Sequence, residues 1–186
     1  MNKKLLILFL IISSFAINKI YAENPRVFWA SKLISSSDED LTKNNAPFKI
    51  LGKYNVMPFF GKSAASWNIP FGVKRNQFVE VSFDTAILVK QIVICENYNP
   101  GSIAKITLFT KNGKKKEVYE NNNPLPFVGG QGRFFNLVLP NSEIISNHLL
   151  LELNTASFYD DTQIDAIGIS SDTIEIKPAI NLIQEA

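Results

Sequence analysis

Cysteine is almost absent from this chain of 186 residues, in which Cys95 is the single example. One cysteine excludes an intramolecular disulfide, the usual reinforcement of small exported domains. Cys95 ends the apolar run 92–95, and a free cysteine in such a run usually behaves as a small hydrophobe. We therefore expect a buried, inert thiol, and the alternative is a half-exposed thiol that forms an intermolecular bridge.

Histidine is equally scarce, and His148 is the only one. A zinc site needs several histidine or cysteine ligands at short spacing, and the usual serine and cysteine relays need a histidine base. No glycine-rich phosphate loop or dinucleotide fingerprint occurs either. These absences argue against zinc enzymes, triad hydrolases and nucleotide-binding domains.

Carboxylates are the remaining groups with catalytic potential, and they cluster at 38–40 and 160–161. Two carboxylates about 5–9 Å apart can hydrolyse a glycosidic bond. Calcium is the other alternative, with oxygens from Asp160, Asp161, Gln163 and Asp165. These residues do not follow the EF-hand spacing, and acidic pairs beside serine or threonine are typical of solvated turns. We expect no catalytic residues, no metal site and no cofactor.

The first 22 residues have the pattern of a signal peptide. Lys3 and Lys4 precede the apolar segment 5–15, which is short for a membrane span, and Ala22 offers a small residue at the cleavage position. We predict cleavage after Ala22 and export to the periplasm or the cell surface, the alternative being an uncleaved anchor. No later segment is long and apolar enough to cross a membrane.

The charge of the chain changes when this segment is removed. It carries three of the 19 basic residues and no acidic one, which leaves 16 basic against 17 acidic residues and a net charge of −1. A nearly neutral surface gives no reason to expect nucleic acid or an anionic membrane as partner.

Most regular segments have the composition and alternation of β-strands, separated by turn signals at intervals of about ten residues. This spacing predicts an all-β, antiparallel β-sandwich as a single domain over 23–176, followed by a tail over 177–186. Asn112-Gly113 predicts a hairpin. The predicted strands are 27–30, 78–83, 87–95, 106–110, 117–119, 134–139, 149–153 and 164–169. A last strand over 174–176 is an open alternative.

Four segments in order resemble a discoidin-like, galactose-binding-like (coagulation-factor C-type-like) family of bacterial envelope proteins. Residues 51–58 (LGKYNVMP), followed by Trp67, resemble its LGxPNVxPxxG…AW block. Residues 78–83 are similar to its FIELxF strand, 96–103 to its ExYNPGAI turn, and 164–168 to its closing EIDAIGI strand. The resemblance implies an eight-stranded jelly roll whose loops form a binding surface at one end.

The resemblance also implies a function. Relatives are usually non-catalytic and attach to glycans, other cell-surface polymers or proteins. The terminal disulfide of animal relatives cannot form here. The early loop reads Ile-Leu-Gly-Lys at 50–53, without the aspartate with which many relatives hold calcium, and Tyr54 replaces the proline of the family block.

We therefore predict an exported, non-catalytic module that binds a glycan or another envelope polymer. Trp67 is either a stacking platform or a core residue, and Glu96 and Tyr98 either contact a ligand or brace the long loop 40–76. The alternative function is docking to an envelope protein through Phe59 and Phe60, which exposure of these rings would favour, whereas burial of both rings beside an open polar cleft would favour the glycan. The predicted binding face comprises Asn55, Phe59, Trp67, Arg75, Glu96, Tyr98 and Arg133.

Overall fold

A computed structural model describes residues 26–38, 46–72, 77–127 and 132–177. They form ten strands and one short 3₁₀ helix, Pro47–Ile50. Eight strands have five residues or more, and two have three. The strands are β1 (Val27–Trp29), β2 (Lys32–Ser36), β3 (Trp67–Ile69), β4 (Gln77–Leu88), β5 (Gln91–Tyr98), β6 (Ile103–Thr110), β7 (Lys115–Glu120), β8 (Arg133–Val138), β9 (Ile145–Leu153) and β10 (Thr162–Ser170).

Two five-stranded antiparallel sheets form the sandwich. Sheet A has the order β1-β10-β5-β8, with β3 paired to β10, and sheet B has the order β2-β4-β9-β6-β7. The predicted jelly-roll sandwich is confirmed, and the short strands β1 and β3 extend sheet A. No helix among the described residues is long and apolar enough to cross a membrane. The predicted signal peptide lies outside the described residues.

The core lies between the sheets and follows from alternation along the strands. In β4, Val79, Val81 and Phe83 face inward, and β9 contributes Leu149 and Leu151 from the same sheet. Every second side chain of such a half-buried strand turns to the core. Sheet A closes the core with isoleucines of β5 and β10: Ile92, Ile94, Ile164, Ile167 and Ile169.

Sheet A is also covered on its outer face, which explains why β10 is buried at every position. Val93, Cys95 and Ala166 pack there beneath Met57 of the long loop and Ile176 near the chain end. Residues 174–176 are therefore an irregular segment over the sheet and not a strand. Cys95 is fully buried, as predicted, and desolvation raises the pKa of its thiol well above the ordinary value.

The predicted strand 87–95 is wrong, because the chain changes sheet inside it. Ile87 and Leu88 pair with β9 in sheet B, whereas residues from Gln91 onward pair with β10 in sheet A. Val89 and Lys90 make the crossing. The run contains no glycine or proline to mark this break. The hairpin at Asn112-Gly113 is confirmed, with β6 and β7 paired and Gly113 at φ +74°.

Candidate functional site

The register of the strands gathers the long loops at one end of the sandwich. β5 ends at Tyr98 beside Gln163, near the start of β10, and Arg133 at the start of β8 pairs with Glu96. In sheet B, β9 ends at Leu153, opposite the start of β6. The segments 59–63, 99–102, 121–127 and 154–161 therefore meet at this loop end.

A buried carboxylate fixes the first part of the long loop. Asp165 lies in β10 and is 2% exposed. One of its oxygens, Oδ2, accepts hydrogen bonds from the backbone N–H groups of Asn55, Val56 and Met57 at 3.1, 2.9 and 2.9 Å. Bonds to an ionised acceptor are roughly twice as strong as neutral ones. Asp165 therefore holds three consecutive residues of the loop against sheet A.

Amide side chains fix the loop a second time, just after the two phenylalanines. Asn97 Nδ2 donates to the carbonyl of Gly61 at 2.9 Å, and Gly61 N–H donates to the carbonyl of Asn97 at 2.8 Å. Gln163 Oε1 accepts from Ser63 N–H at 2.8 Å and from Asn97 Nδ2 at 3.1 Å. The loop is thus bonded to sheet A on both sides of Phe59 and Phe60.

Phe59 and Phe60 project between these two anchors. Phe59 is 81% exposed and Phe60 is 44% exposed. Phe60 lies over Gly132, where a Cβ atom would overlap its ring and approach the carbonyl oxygens of Glu96 and Asn97. Burial of a phenylalanine is favourable by roughly 1.5–3 kcal/mol, so exposed rings on an anchored loop point to a contact surface.

Beside them, Tyr98, Asp160 and Lys62 form a polar cluster. Tyr98 Oη donates to Asp160 Oδ2 at 2.6 Å, and Lys62 Nζ donates to Asp160 Oδ1 at 2.9 Å. These bonds, that of Tyr98 first, lower the pKa of Asp160 to about 2. The bond to Asp160 in turn raises the pKa of Lys62 and that of Tyr98. Lys62 also lies over the Tyr98 ring, 5.0 Å from its centroid.

On the other side of Asn97, Glu96 and Arg133 form an ion pair. Arg133 Nε donates to Glu96 Oε2, and Gly101 N–H donates to Oε1 at 2.8 Å. Burial raises the pKa of the Glu96 carboxyl, and the charge of Arg133 opposes that shift. The guanidinium lies over the rings of Phe127 and Phe135, at 5.3 and 5.1 Å from their centroids. Glu96 thus braces the Pro100-Gly101 turn, where Gly101 has φ +119°.

We call the exposed and half-buried groups around Asn97 and Gly61 the loop-end surface. Its aromatic side chains lie on either side of its charged ones, and a chain of side-chain hydrogen bonds lies next to it. In that chain Gln163 Nε2 donates to Asn68 Oδ1 at 3.0 Å, and Asn68 Nδ2 donates to Asp161 Oδ2 at 3.0 Å. The loop-end surface consists of Phe59, Phe60, Lys62, Tyr98, Phe127, Arg133 and Asp160.

The structure brings only some of the predicted site residues to this surface. Phe59, Tyr98 and Arg133 belong to it. Asn55 is exposed on the loop, and its backbone N–H is bonded to Asp165. Arg75 lies outside the described residues.

Two predicted contacts are corrected by burial. Trp67 is a core residue, 1% exposed, since β3 presents its ring to the interior. Glu96 is 1% exposed, and its two oxygens accept bonds from Gly101 and Arg133. Neither side chain is accessible to a ligand, so both leave the predicted binding face. Sequence reasoning missed Lys62, Phe127 and the anchoring role of Asp165. The one feature that could have indicated the role of Asp165 is the position of its carboxylate within an apolar strand.

The aspartates considered for calcium, Asp160, Asp161 and Asp165, accept hydrogen bonds from protein donors. Asp160 is occupied by Tyr98 and Lys62, and Asp161 accepts from Asn68 and from Phe71 N–H. Asp165 and Gln163, the other oxygens considered for calcium, hold the long loop. In the described ranges no three His, Cys, Asp or Glu side chains come together as a metal would require. His148 bonds to Glu80 at 2.7 Å and stacks on Phe109, on the outer face of sheet B.

Solved structures share the fold of this β-sandwich. A family 32 carbohydrate-binding module of EndoD from Streptococcus pneumoniae matches with a TM-score of 0.56 at 10% identity, over 80% of this chain and 98% of that one. An F5/8 type C domain from Bacteroides fragilis matches with a TM-score of 0.52 at 11% identity, over 79% and 96%. The chain has the discoidin-like, galactose-binding-like fold.

The discoidin-like fold also occurs in XRCC1 bound to the catalytic domain of DNA polymerase β, which matches with a TM-score of 0.56 at 9% identity, over 79% of this chain and 99% of that one. No protein-family model and no curated protein sequence matches the chain. At these identities the likeness concerns the fold alone, because one fold serves many unrelated functions.

Proposed function

We propose that the chain is an exported, non-catalytic module that binds a glycan or another polymer of the cell envelope through its loop-end surface. One observation carries the proposal: Phe59 is 81% exposed on a loop bonded to sheet A on both sides, and the hydrogen-bonded polar groups of Tyr98, Asp160 and Lys62 lie beside it. An apolar ring held in water without a packing role is most simply a platform for a ligand.

The chemistry around the ring suits a sugar. Sugar rings present apolar C–H faces, which stack on aromatic side chains, and hydroxyl groups, which need hydrogen-bond partners. Phe59 and Phe60 provide the aromatic faces. Tyr98, Asp160 and Lys62 provide donors and acceptors beside them. Apolar walls with a few fixed polar groups are the usual composition of a small-ligand site. The carbohydrate-binding module that shares the fold adds support to this choice.

Catalysis is not part of the proposal, for reasons of protonation and access. Glycoside hydrolysis needs a carboxylic acid that still carries its proton near neutral pH. The pKa of Asp160 is lowered to about 2, so this carboxyl is ionised. The pKa of Glu96 is raised, but its side chain is buried behind Arg133.

Export rests on the sequence of residues 1–22. We expect the protein recovered from cells to begin at Glu23, since cleavage is predicted after Ala22. N-terminal sequencing of the protein from the periplasmic and extracellular fractions tests this expectation. Recovery in the cytoplasm with Met1 intact contradicts it.

Binding is tested with a glycan array and by pull-down on purified peptidoglycan and polysaccharides. We expect the wild type to bind at least one glycan, and Phe59→Ala to lose at least about tenfold in affinity with an unchanged Tm, since the ring is exposed. Phe48→Ala is the matched control, because Phe48 is an exposed ring on the 3₁₀ helix, outside the loop-end surface. If the wild type binds no glycan, or both variants bind as it does, the proposal fails.

The second candidate function is docking to an envelope protein, and the exposure of Phe59 and Phe60 favours it. Exposed aromatic anchors are typical hot spots of protein interfaces. Cross-linking in intact cells with a photoreactive residue at position 60 would then capture one defined partner. Phe59→Ala would reduce that cross-link while glycan arrays stay blank.

A further inference from the structure

Arg133 has hydrogen-bonding capacity that the described residues do not use. Its Nε donates to Glu96, and its guanidinium makes no other hydrogen bond or ion pair with the described residues. The guanidinium carries five N–H donors in a fixed fork, so four remain on the two terminal nitrogens. Its side chain is 25% exposed, at the rim of the loop-end surface.

The orientation of these donors is fixed before any ligand arrives. Glu96 bonds to the Nε side of the guanidinium, and Glu96 is itself fixed by Gly101 N–H. The rings of Phe127 and Phe135 lie against the guanidinium. Binding normally loses free energy when it immobilises a long side chain, and here the Arg133 side chain is already ordered before a ligand binds.

We propose that the terminal nitrogens of Arg133 bind the carboxylate of an acidic sugar residue, such as a uronic acid, within the glycan bound at the loop-end surface. This inference rests on the proposed function and names its ligand class. A carboxylate matches the arginine fork with two parallel hydrogen bonds. Phe127, half-exposed beside the guanidinium, and Phe60, over Gly132, give the sugar ring apolar contacts on the same rim.

Geometry contributes more than net charge in this subsite. The buried Glu96 carboxylate offsets part of the charge of Arg133, so an anion is not drawn by an excess of positive charge. The paired fork of donors remains, and it distinguishes a planar carboxylate from a hydroxyl. Lys62 offers less, because it is bonded to Asp160.

The direct test compares polygalacturonate and alginate with their carboxyl-reduced forms, each measured against the wild-type protein by affinity electrophoresis. Two charge-assisted hydrogen bonds predict a roughly ten- to hundredfold tighter binding of at least one uronate polymer than of its reduced form. Dextran sulfate is a third arm, since equal binding there would show a site for any anion and overturn the carboxylate assignment.

A variant pair assigns the preference to this residue. Arg133→Lys retains a charge for Glu96 but loses the fork, and we expect the ratio of uronate to reduced-polymer affinity to fall toward one. Arg26→Lys is the matched control, because Arg26 lies over Phe28 beside β1 and should leave that ratio unchanged. The same polymer comparison on the wild type remains decisive if Arg133→Lys folds poorly.

The outcomes separate the two proposals. Binding of a neutral and a reduced polymer with no gain from carboxylates, lost in Phe59→Ala, refutes the Arg133 inference and leaves the proposed function standing. Absence of binding to every polymer, neutral or acidic, refutes the proposed function and this inference with it.

Discussion

Asp165→Asn should loosen the loop that presents Phe59 while leaving the shape of the side chain unchanged. In the wild type, Oδ2 accepts three backbone N–H groups at 2.9–3.1 Å from a position that is 2% exposed. Hydrogen bonds to a charged acceptor contribute about 1.5–3 kcal/mol each, and neutral ones about half of that. An amide oxygen in the same place therefore forfeits about 2–4 kcal/mol over the three bonds.

Two further effects act on this free energy in opposite senses. In the wild type, Asn55 N–H also donates to Oδ1 at 3.2 Å, and in the variant an amide nitrogen takes the place of Oδ1. Two donors then face each other, which lowers the stability further. Against this, the variant no longer buries a charge, and part of the desolvation penalty is recovered. We expect a net loss of about 2 kcal/mol, which corresponds to a fall in Tm of about 4–8 °C for a domain of this size.

Thermal unfolding followed by circular dichroism measures this change, and Asp172→Asn is the control. Asp172 accepts a single backbone N–H, from Ile174 at 2.9 Å, so its variant should lose less than about 1 kcal/mol. The Asp165→Asn protein should also bind the glycan more weakly, because Phe59 is less well held. If Asp165→Asn and Asp172→Asn unfold at the same temperature, the three bonds do not anchor the loop as described.

Two other predictions concern backbone space and pH. Gly101→Ala should lower the free energy of unfolding in urea by more than about 2 kcal/mol, because Gly101 has φ +119° and a Cβ would overlap the carbonyl oxygen of Leu125. Gly113→Ala is the control, since a Cβ there meets open space, and it should lower the free energy of unfolding by about 1 kcal/mol. Equal losses in the two variants would contradict this reasoning. Asp160 has a pKa of about 2, below its ordinary 3.8, so the stability that it adds is present above pH 4 and is lost as the pH falls through 2. The difference in Tm between wild type and Asp160→Asn should therefore shrink over that interval, and a constant difference would show that Asp160 has no such bonds.

The fold could be predicted from the sequence because its determinants are local. Alternation in 78–83, the Asn112-Gly113 turn and the apolar segment 164–169 each specify a strand or a hairpin within a few residues. The sheet change at Val89 and Lys90 escaped this reasoning, because it depends on pairing with strands more than 50 residues away. Nothing within the run distinguishes one long strand from two.

The site depended on contacts between distant residues and was harder to predict. Glu96 reads as a polar residue at a strand end, and only its pairing with Arg133, 37 residues later, shows that it is an internal brace. Trp67 is a residue type that often stacks on sugar rings, but its position in β3 directs the ring into the core. The sequence left open whether Phe59 is buried or exposed, and in the structure its side chain is 81% exposed.

Ligand binding at the loop-end surface can be located by titrating the ¹⁵N-labelled protein with a glycan that the pull-down retains and following the amide chemical shifts. We predict shifts that cluster in residues 59–62 and 97–99 and at Phe127 and Arg133, with Kd values that agree among them. Shifts confined to the outer face of sheet B around His148 and Phe109, or none at saturating glycan, would contradict it.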